Sequence, residues 1–429
     1  MRAKYLVIGV LFILLGVIVY QMMRFEKNIR AQRIVKVKVR DETKPLINEL
    51  PTDKLKELAQ KADYYFMAKG DYFQVINTSS SSKKTEPIFL KGVNLGVAMP
   101  GHFPTEFSLS FNQYLAWFQL IGKMNANVIR IYTILPPEFY DAFAYYNLHY
   151  NDKKIYLLHG VWAEEPETNN YFYPKFERKF KSEIINVIDV IHGNAVIDPE
   201  PGHAHGSYSS DISRYVIGII LGREWEPKAV IRTNRANNTK QFNGNFISIN
   251  NGNAMEVWLA QMMDFTVQYE TQTYTAQHPL SFVNWLPLDP MHHNTEFIEN
   301  KTVREFDNDL EEIDFRKYNS TSIFPSGIFA SYHVYPYYPD FIYLQKNYAD
   351  AKNIKGEKDN YYGYLDELKH FTPSMPLVIA EYGLPSSRGN SHSTPLGFNQ
   401  GGHSEQEQAT LSWQLTKDIF DTKCAGAVF

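Results

Sequence analysis

The stretch Tyr215-Val-Ile-Gly-Ile-Ile-Leu-Gly-Arg-Glu-Trp-Glu-Pro227 contains an apolar run that ends in charged residues. A second stretch, Pro376-Leu-Val-Ile-Ala-Glu-Tyr-Gly383, has the same form. Short apolar runs rich in β-branched residues are typical of buried strands in a parallel sheet. In each stretch a glutamate, Glu224 or Glu381, follows where the strand would end. We therefore expect both carboxylates to lie at the carboxyl-terminal edge of one sheet.

Runs of this kind recur along the chain, and helical patterns separate most of them. The predicted strands are 88–95, 127–134, 154–162, 215–222, 280–286, 327–335, 377–382 and 425–429. The predicted helices are 111–124, 137–149, 174–191, 254–273, 363–371 and 404–420. This alternation indicates βα units and a parallel sheet. Eight strands predict an α/β fold of the (β/α)8 barrel (TIM barrel) type, and no Gly-x-Gly-x-x-Gly follows the first strand to favour a dinucleotide fold.

The predicted barrel domain covers residues 71–429. It begins with a hairpin around the polar turn Ser79–Ser82. Its eighth strand, Ala425–Phe429, is the last segment of the sequence, so we expect a barrel that is incomplete at its C-terminus. Two long connections, 193–213 and the acidic 287–326, interrupt the alternation, and such connections often serve as lids or binding loops.

Composition excludes several classes of function. The net charge is −4, and no stretch interleaves basic and aromatic residues, so no nucleic-acid partner is predicted. The single cysteine, Cys424, rules out an intramolecular disulfide and a cysteine zinc site. His203 and His205 have metal-like spacing but no acidic ligand at a recognisable distance in the sequence. We therefore predict no metal site and no cofactor.

Two carboxylates at the mouth of one barrel favour chemistry at a glycosidic bond. Hydrolysis with retention needs an acid that protonates the leaving oxygen and a nucleophilic carboxylate about 5–5.5 Å away. A single glutamate at a strand end is as often a cap or an ion-pair partner. Two of them on different strands of one barrel shift the interpretation towards catalysis.

From about residue 87 to residue 429 the sequence resembles the clan A glycoside hydrolases, which are retaining enzymes with a (β/α)8 barrel. Leu-Gly-Arg-Glu224-Trp is similar to the end of strand four in that clan, and Val-Ile-Ala-Glu381-Tyr-Gly to the end of strand seven. The resemblance implies that Glu224 is the acid/base and Glu381 the nucleophile. Arg223 stands where the clan has an Asn that bonds the substrate, so Arg223 is expected to face the substrate. Glu226 remains a second candidate for the acid/base, because Trp-Glu226-Pro resembles Asn-Glu-Pro.

Other motifs fit the same resemblance. Lys91-Gly-Val-Asn-Leu-Gly96 is similar to the first-strand signature of the clan. Arg130 occupies the position at which the clan has a strand-two arginine that supports the nucleophile. His333-Val-Tyr335 resembles the His-x-Tyr motif of strand six in the clan. An arginine and a tyrosine bonded to Glu381 would hold its pKa low, whereas Glu224 must carry a proton near neutral pH.

Further side chains at predicted strand ends could contact a sugar. Trp162, Trp225, Trp285, Tyr337 and Tyr338 could stack on pyranose faces, and packing among loops is an equally good interpretation. The predicted substrate-binding residues are Arg130, His159, Arg223, Trp285, His333 and Tyr335.

These observations predict a retaining glycoside hydrolase that acts on a polysaccharide, an oligosaccharide or a cell-surface glycan by double displacement. A transglycosylase that uses the same two carboxylates is one alternative. A non-catalytic glycan-binding barrel in a membrane polysaccharide-assembly complex is another, and Arg223 keeps it open.

The N-terminus predicts a membrane anchor. Residues Tyr5–Met23 form an apolar run broken only by Gln21, which is long enough to cross a bilayer as a helix. No small-residue cleavage site follows it, so we expect an uncleaved signal-anchor over residues 1–23 and a basic stalk over 24–70. The residues that follow the apolar run are more basic than those before it, and the positive-inside rule would then place the barrel in the cytoplasm. A large domain can cross regardless of charge and polymeric glycans lie mostly outside, so we expect the barrel on the extracytoplasmic side of the cell membrane.

Overall fold

Parallel strands close into an eight-stranded barrel in the order of the sequence, as predicted. The computed structural model describes residues 45–77, 84–293 and 308–429. The barrel strands are β4 (Leu90–Leu95), β5 (Val128–Ile131), β6 (Tyr156–Val161), β9 (Val216–Leu221), β12 (Leu280–Trp285), β14 (Ala330–His333), β15 (Leu377–Glu381) and β16 (Gly426–Val428). Strand β16 pairs with β15 on one side and with β4 on the other, so the last strand takes part in closure.

The remaining strands lie outside the barrel in small antiparallel sheets. They are β1 (Phe66–Lys69), β2 (Tyr72–Asn77), β3 (Lys84–Ile88), β7 (Ala195–Ile197), β8 (Gly206–Tyr208), β10 (Phe242–Asn243), β11 (Ile247–Ile249) and β13 (Tyr318–Ser320). The helices are α1 (Thr52–Lys61), α2 (Phe111–Lys123), α3 (Pro137–His149), α4 (Pro174–Ile191), α5 (Pro227–Ala236), α6 (Ala254–Tyr274), α7 (Phe341–Leu344), α8 (Lys346–Ala349), α9 (Asn360–Phe371) and α10 (Glu405–Asp421).

Local sequence explains where the helices begin. Ser110, Asn253 and Ser404 form capping boxes at the starts of α2, α6 and α10, in which the side chain and a Gln or Glu three residues on satisfy free backbone N–H groups. Helices α3, α4 and α5 begin at a proline, whose fixed φ suits the first helical position. Helix α5 was not predicted because it is short and buries only a few side chains.

The predicted N-terminal hairpin is present as β2 and β3, and β1 adds a third antiparallel strand. Residues 78–83, which include the predicted Ser79–Ser82 turn, lie outside the described residues. Phe66 and Phe73 from this sheet belong to the same buried cluster as residues inside the barrel, and Phe73 packs edge-on against Phe329 at 4.9 Å. The hairpin therefore seals the barrel interior. The compact unit runs from Pro45 to Phe429, so it also contains residues 45–70 of the predicted stalk.

The prediction of a membrane helix needs correction. No helix among the described residues is long and apolar enough to span a bilayer. The longest one, α6, carries Glu256, Asp264 and Glu270, which are buried in contacts with the rest of the unit. The predicted span 5–23 lies outside the described residues. The described residues therefore contradict three linked predictions. These are the transmembrane helix, the membrane as a partner and the cell-membrane location.

A buried ionic triad fixes α6 to the wall of the barrel. Glu270 in α6 bonds His278 Nδ1 at 2.6 Å and His192 Nε2 at 3.0 Å, and all three side chains are at most 7% exposed. Burial alone would raise the pKa of Glu270. The charges and hydrogen bonds of His278 and His192 outweigh burial and lower that pKa to about 2. The triad therefore stabilises the fold by way of an ionised Glu270.

We expect Glu270→Gln to lower the free energy of unfolding at neutral pH by about 3–5 kcal/mol, because it breaks a buried pair and leaves two histidines without their anion. The folded pKa lies below the ordinary value of 4.5, so the contribution of Glu270 is present above pH 4.5 and is lost as the pH falls towards 2. Urea unfolding across this range measures both effects. Glu57→Gln, at the exposed Lys61–Glu57 pair, is the control and should leave the midpoint unchanged. Equal losses in the two variants would contradict a stabilising triad.

Candidate active site

Glu224 stands on a tight turn directly after β9. Gly222 has φ +81°, and a Cβ at this position would overlap the indole of Trp225. The turn therefore requires glycine at position 222, and the buried Trp225 ring packs directly against it. Glu224 is left at the rim, with its side chain 39% exposed.

Glu381 ends β15 and is held by donors on both carboxylate oxygens. Arg130 Nη1 donates to Oε1 at 2.9 Å, and the hydroxyl of Tyr335 donates to Oε2 at 2.9 Å. Burial would raise the pKa of Glu381, whose side chain is only 13% exposed. The charge of His333 when protonated, the charge of Arg130 and the two hydrogen bonds reverse this effect, so that its pKa lies below the ordinary value. Glu381 is thus an ionised carboxylate in a largely dry site.

Arg130 is positioned by the first strand of the barrel. Its Nη1 also donates to Asn94 Oδ1 at 3.0 Å, and Asn94 Nδ2 donates to the carbonyl oxygen of Ala380 at 2.9 Å. Arg130 is 2% exposed. Asn94 belongs to the first-strand motif that the sequence singled out, and its amide ties the arginine to the strand that carries Glu381.

His333 lies between the two glutamates. Its Nδ1 is 2.8 Å from Glu224 Oε1, and its Nε2 is 3.1 Å from Arg130 Nη2 and 3.4 Å from Glu381 Oε1. A guanidinium can only donate, so in the neutral ring Nε2 accepts and Nδ1 carries the proton. His333 then donates to one oxygen of Glu224, and no residue in the described part of the chain hydrogen-bonds the other oxygen of that carboxyl group.

The two glutamates face each other across this histidine. One carboxylate oxygen of Glu224 and one of Glu381 lie within 4.8 Å of each other. The Glu224–His333–Glu381 group has the composition of a metal site. However, the guanidinium of Arg130 already contacts both Glu381 and His333, and a cation placed there would be repelled by it.

Arg223 lies at the mouth and pairs with a carboxylate. Its Nη2 is 3.1 Å from Glu165 Oε1, and its guanidinium carbon is 5.6 Å from the centre of the Trp162 ring. Glu165 is in the loop after β6, not among the helices, and both side chains of the pair are about a third exposed. Burial and the nearby Glu226 raise the pKa of Glu165, although Arg223 opposes them.

The structure places two of the singled-out side chains away from the mouth. His159 is fully buried and bonds the hydroxyl of Tyr140 at 2.8 Å and the carbonyl oxygen of Gly160 at 2.8 Å, and burial lowers its pKa to about 4. It faces helix α3 because Leu158, its neighbour in β6, takes the inward position. Trp225 is also fully buried, in a cluster with Tyr171 and Trp258.

The other predicted aromatic residues remain nearer the rim. Trp285 is half-buried, and its Nε1 donates to the carbonyl oxygen of Trp225 at 3.0 Å. Trp162 is 41% exposed. Tyr337 is buried and Tyr338 is half-buried.

The sequence analysis missed Tyr132. Its ring centre lies 4.5 Å from the guanidinium carbon of Arg130, the residue that donates to Glu381. Burial and the charge of Glu381 raise the pKa of Tyr132, so its hydroxyl stays protonated and can donate. Tyr132 comes two residues after Arg130, and residues two apart in a strand point to the same face. The inward direction of Arg130 would therefore have predicted that Tyr132 also faces the barrel interior.

Comparisons with known proteins give fold neighbours only. No protein-family model matches the chain, and no curated protein matches it significantly. An endo-laminarinase from Formosa has a TM-score of 0.45 and 12% identity over 79% of this chain and 77% of that one. A β-mannanase from the blue mussel Mytilus edulis has a TM-score of 0.40 and 10% identity over 86% of this chain and 91% of that one.

A glycoside hydrolase family 5 mannosidase from Rhizomucor miehei has a TM-score of 0.39 and 10% identity over 82% of this chain and 84% of that one. With identities of this size, the fold assignment rests on the strand order of the chain itself. That closed order confirms the (β/α)8 barrel that the resemblance to the clan A glycoside hydrolases implied.

Proposed function

We propose that this protein is a retaining glycoside hydrolase in which Glu381 is the nucleophile and Glu224 the acid/base. One observation carries the proposal: two carboxyl groups at the barrel mouth approach within 4.8 Å and have opposite surroundings. Glu381 is buried among donors, and Glu224 is at the rim with one donor. Retaining enzymes have carboxyl groups about 5–5.5 Å apart, whereas inverting enzymes leave about 6.5–9.5 Å for a water molecule. The short approach favours retention.

The first step follows from these surroundings. An oxygen of Glu381 attacks the anomeric carbon as the bond to the leaving oxygen breaks. The free oxygen of Glu224 gives its proton to that leaving oxygen. His333 keeps the other oxygen of Glu224 occupied, so the acidic proton is directed to the side that faces the substrate.

The second step reverses the role of Glu224. Its carboxylate takes a proton from water, and the water oxygen attacks the same carbon and releases Glu381. Arg130 and Tyr335 favour ionised Glu381 both before attack and when it leaves, because both donate to the carboxylate. The carbohydrate is the substrate in both steps, and no other co-reactant than water is needed.

Replacing the nucleophile gives the most direct test. We expect Glu381→Ala to reduce turnover of an activated aryl β-glycoside by several orders of magnitude, because no covalent intermediate can form. Added azide should restore part of the rate and give a glycosyl azide of inverted configuration, identified by NMR. Undiminished turnover in this variant would rule out Glu381 as the nucleophile. A wild-type protein that cleaves no member of a panel of β-linked glycans, read by reducing ends, would contradict the function itself.

The acid/base can be distinguished from its neighbour at the rim. Glu224→Gln should slow substrates with poor leaving groups far more than activated aryl glycosides, which depart without protonation. Glu226→Gln is the matched control, since Glu226 is two residues further along the same turn and should show no such dependence on the leaving group. The dependence of the rate on the leaving group is measured for each variant with a series of aryl glycosides. The reverse result would assign the acid/base to Glu226.

Arg223 is expected to affect substrate choice more than stability. The pair with Glu165 is partly exposed, so Arg223→Asn should lower the free energy of unfolding by less than about 1 kcal/mol. If Arg223 donates to a sugar hydroxyl, the substitution changes the ratio of kcat/KM between two sugars. Glu165→Gln breaks the same pair without removing the guanidinium and should leave that ratio unchanged. Identical ratios in both variants would mean that Arg223 acts only through its pairing.

A further inference from the structure

A cavity of about 750 Å³ lies beside the candidate active site. Its walls are the ends of β4, β5 and β6, one face of α4, the turn Pro104–Glu106 and the end of the β7–β8 hairpin. We call it the side cavity. Glu224 and Glu381 do not line it, so it is additional to the site described above.

Two residues connect the side cavity to the carboxylates. Tyr132 lines the cavity and packs against Arg130, which donates to Glu381. Trp162 also lines it and lies beside Arg223, the residue before Glu224. The cavity is therefore separated from each catalytic carboxylate by one or two side chains. A chain-like ligand with its reacting bond between the glutamates can extend into it.

The walls of the side cavity suit an amphipathic ligand. Most of the surface is apolar and comes from Phe107, Phe176, Phe180, Ile197 and the half-exposed Trp162. Four polar residues also line the cavity: Thr105, Thr133, Ser182 and Asn186. Pyranose rings have this pairing of apolar faces and hydroxyl edges. A pocket with apolar walls and a few polar groups in a volume of about 300–1,000 Å³ is typical of a binding site.

The charges of the side cavity oppose an anionic ligand. Glu164 and Glu200 both contact Lys179, at 2.8 and 3.3 Å, so one ammonium serves two carboxylates. Glu183 pairs with His203 at 3.1 Å and raises its pKa. The cavity thus contains three carboxylates against one permanent cation and one histidine. An acidic sugar would meet an excess of negative charge, which favours a neutral one.

We propose that the side cavity binds further units of a neutral glycan on one side of the reacting bond, so that the substrate is an oligosaccharide or polysaccharide rather than a glycoside of a single sugar. This inference rests on the proposed function. The β7–β8 hairpin, which lies within the long connection between α4 and β9, supplies the outer wall through Ile197 and the segment Glu200–His203. This hairpin makes the chain selective for substrate length.

Filling the side cavity tests the proposal. Ile197→Trp places a large ring inside it. Val196→Trp is the matched control, because Val196 is the preceding residue in β7, is 37% exposed and does not line the cavity. The substrates are neutral β-linked gluco- and manno-oligosaccharides from disaccharide to hexasaccharide. In the wild type, kcat/KM should rise with length. Ile197→Trp should lose roughly 10–200-fold on the long substrates, which is the range for a lost apolar contact, and keep the rate on the shortest one.

A binding measurement separates this proposal from the proposed function. In Glu381→Ala protein, which cannot turn over, a hexasaccharide should bind with heat release and quench Trp162 fluorescence, and Ile197→Trp should weaken that binding. Thr105→Trp, at an exposed position in the turn Pro104–Glu106, is a second filling variant in case Ile197→Trp fails to fold. Length-independent kcat/KM in an active wild type, or equal effects of Ile197→Trp and Val196→Trp, would overturn the subsite and leave the catalytic assignment standing. Tighter binding of an acidic than of a neutral oligosaccharide would overturn the neutral class.

Discussion

The buried contact between Arg130 and Glu381 is the constraint on which the site depends. A carboxylate that is 13% exposed tends to take up a proton, and a guanidinium that is 2% exposed must find acceptors. Each supplies the charge that the other needs, and Asn94, Tyr335 and His333 add further hydrogen bonds to the pair. The pairing sets the ionisation of Glu381 and the proton position on His333, and through His333 it reaches Glu224. One interaction therefore helps to give two chemically similar side chains different surroundings.

The fold could be predicted because its signal is local. Apolar β-branched runs separated by capped helices indicate βα units wherever they occur. The lengths of those runs located the glutamate that follows β9 and the one that ends β15. The resemblance to the clan A glycoside hydrolases, rather than the strand pattern, indicated Arg130, His333 and Tyr335. The hairpin β2–β3 was also indicated by its polar turn.

What could not be predicted depends on side-chain direction and on contacts between distant segments. His159 was expected at the mouth, but the period of a strand does not say which of its two faces is the inner one, and Leu158 takes that place. Trp225 was considered for sugar stacking, yet the turn at Gly222 folds its ring into the core. The side cavity forms where the ends of three strands lie close to the β7–β8 hairpin. No local sequence pattern indicates that these distant segments are neighbours.

Asn94 also sits at the seam where the barrel closes. Its side-chain amide reaches the carbonyl oxygens of Ala380 at 2.9 Å and Val428 at 3.1 Å, which belong to the seventh and eighth strands, while its own strand is the first. Arg130, which holds Glu381, is therefore connected through Asn94 to the first strand and to the last two strands of the barrel. A barrel that opened at this seam would keep all of these side chains and still lose their arrangement around Glu381. The proposed activity therefore depends on closure of the barrel, and it should be lost before the helices unfold whenever the seam loosens first.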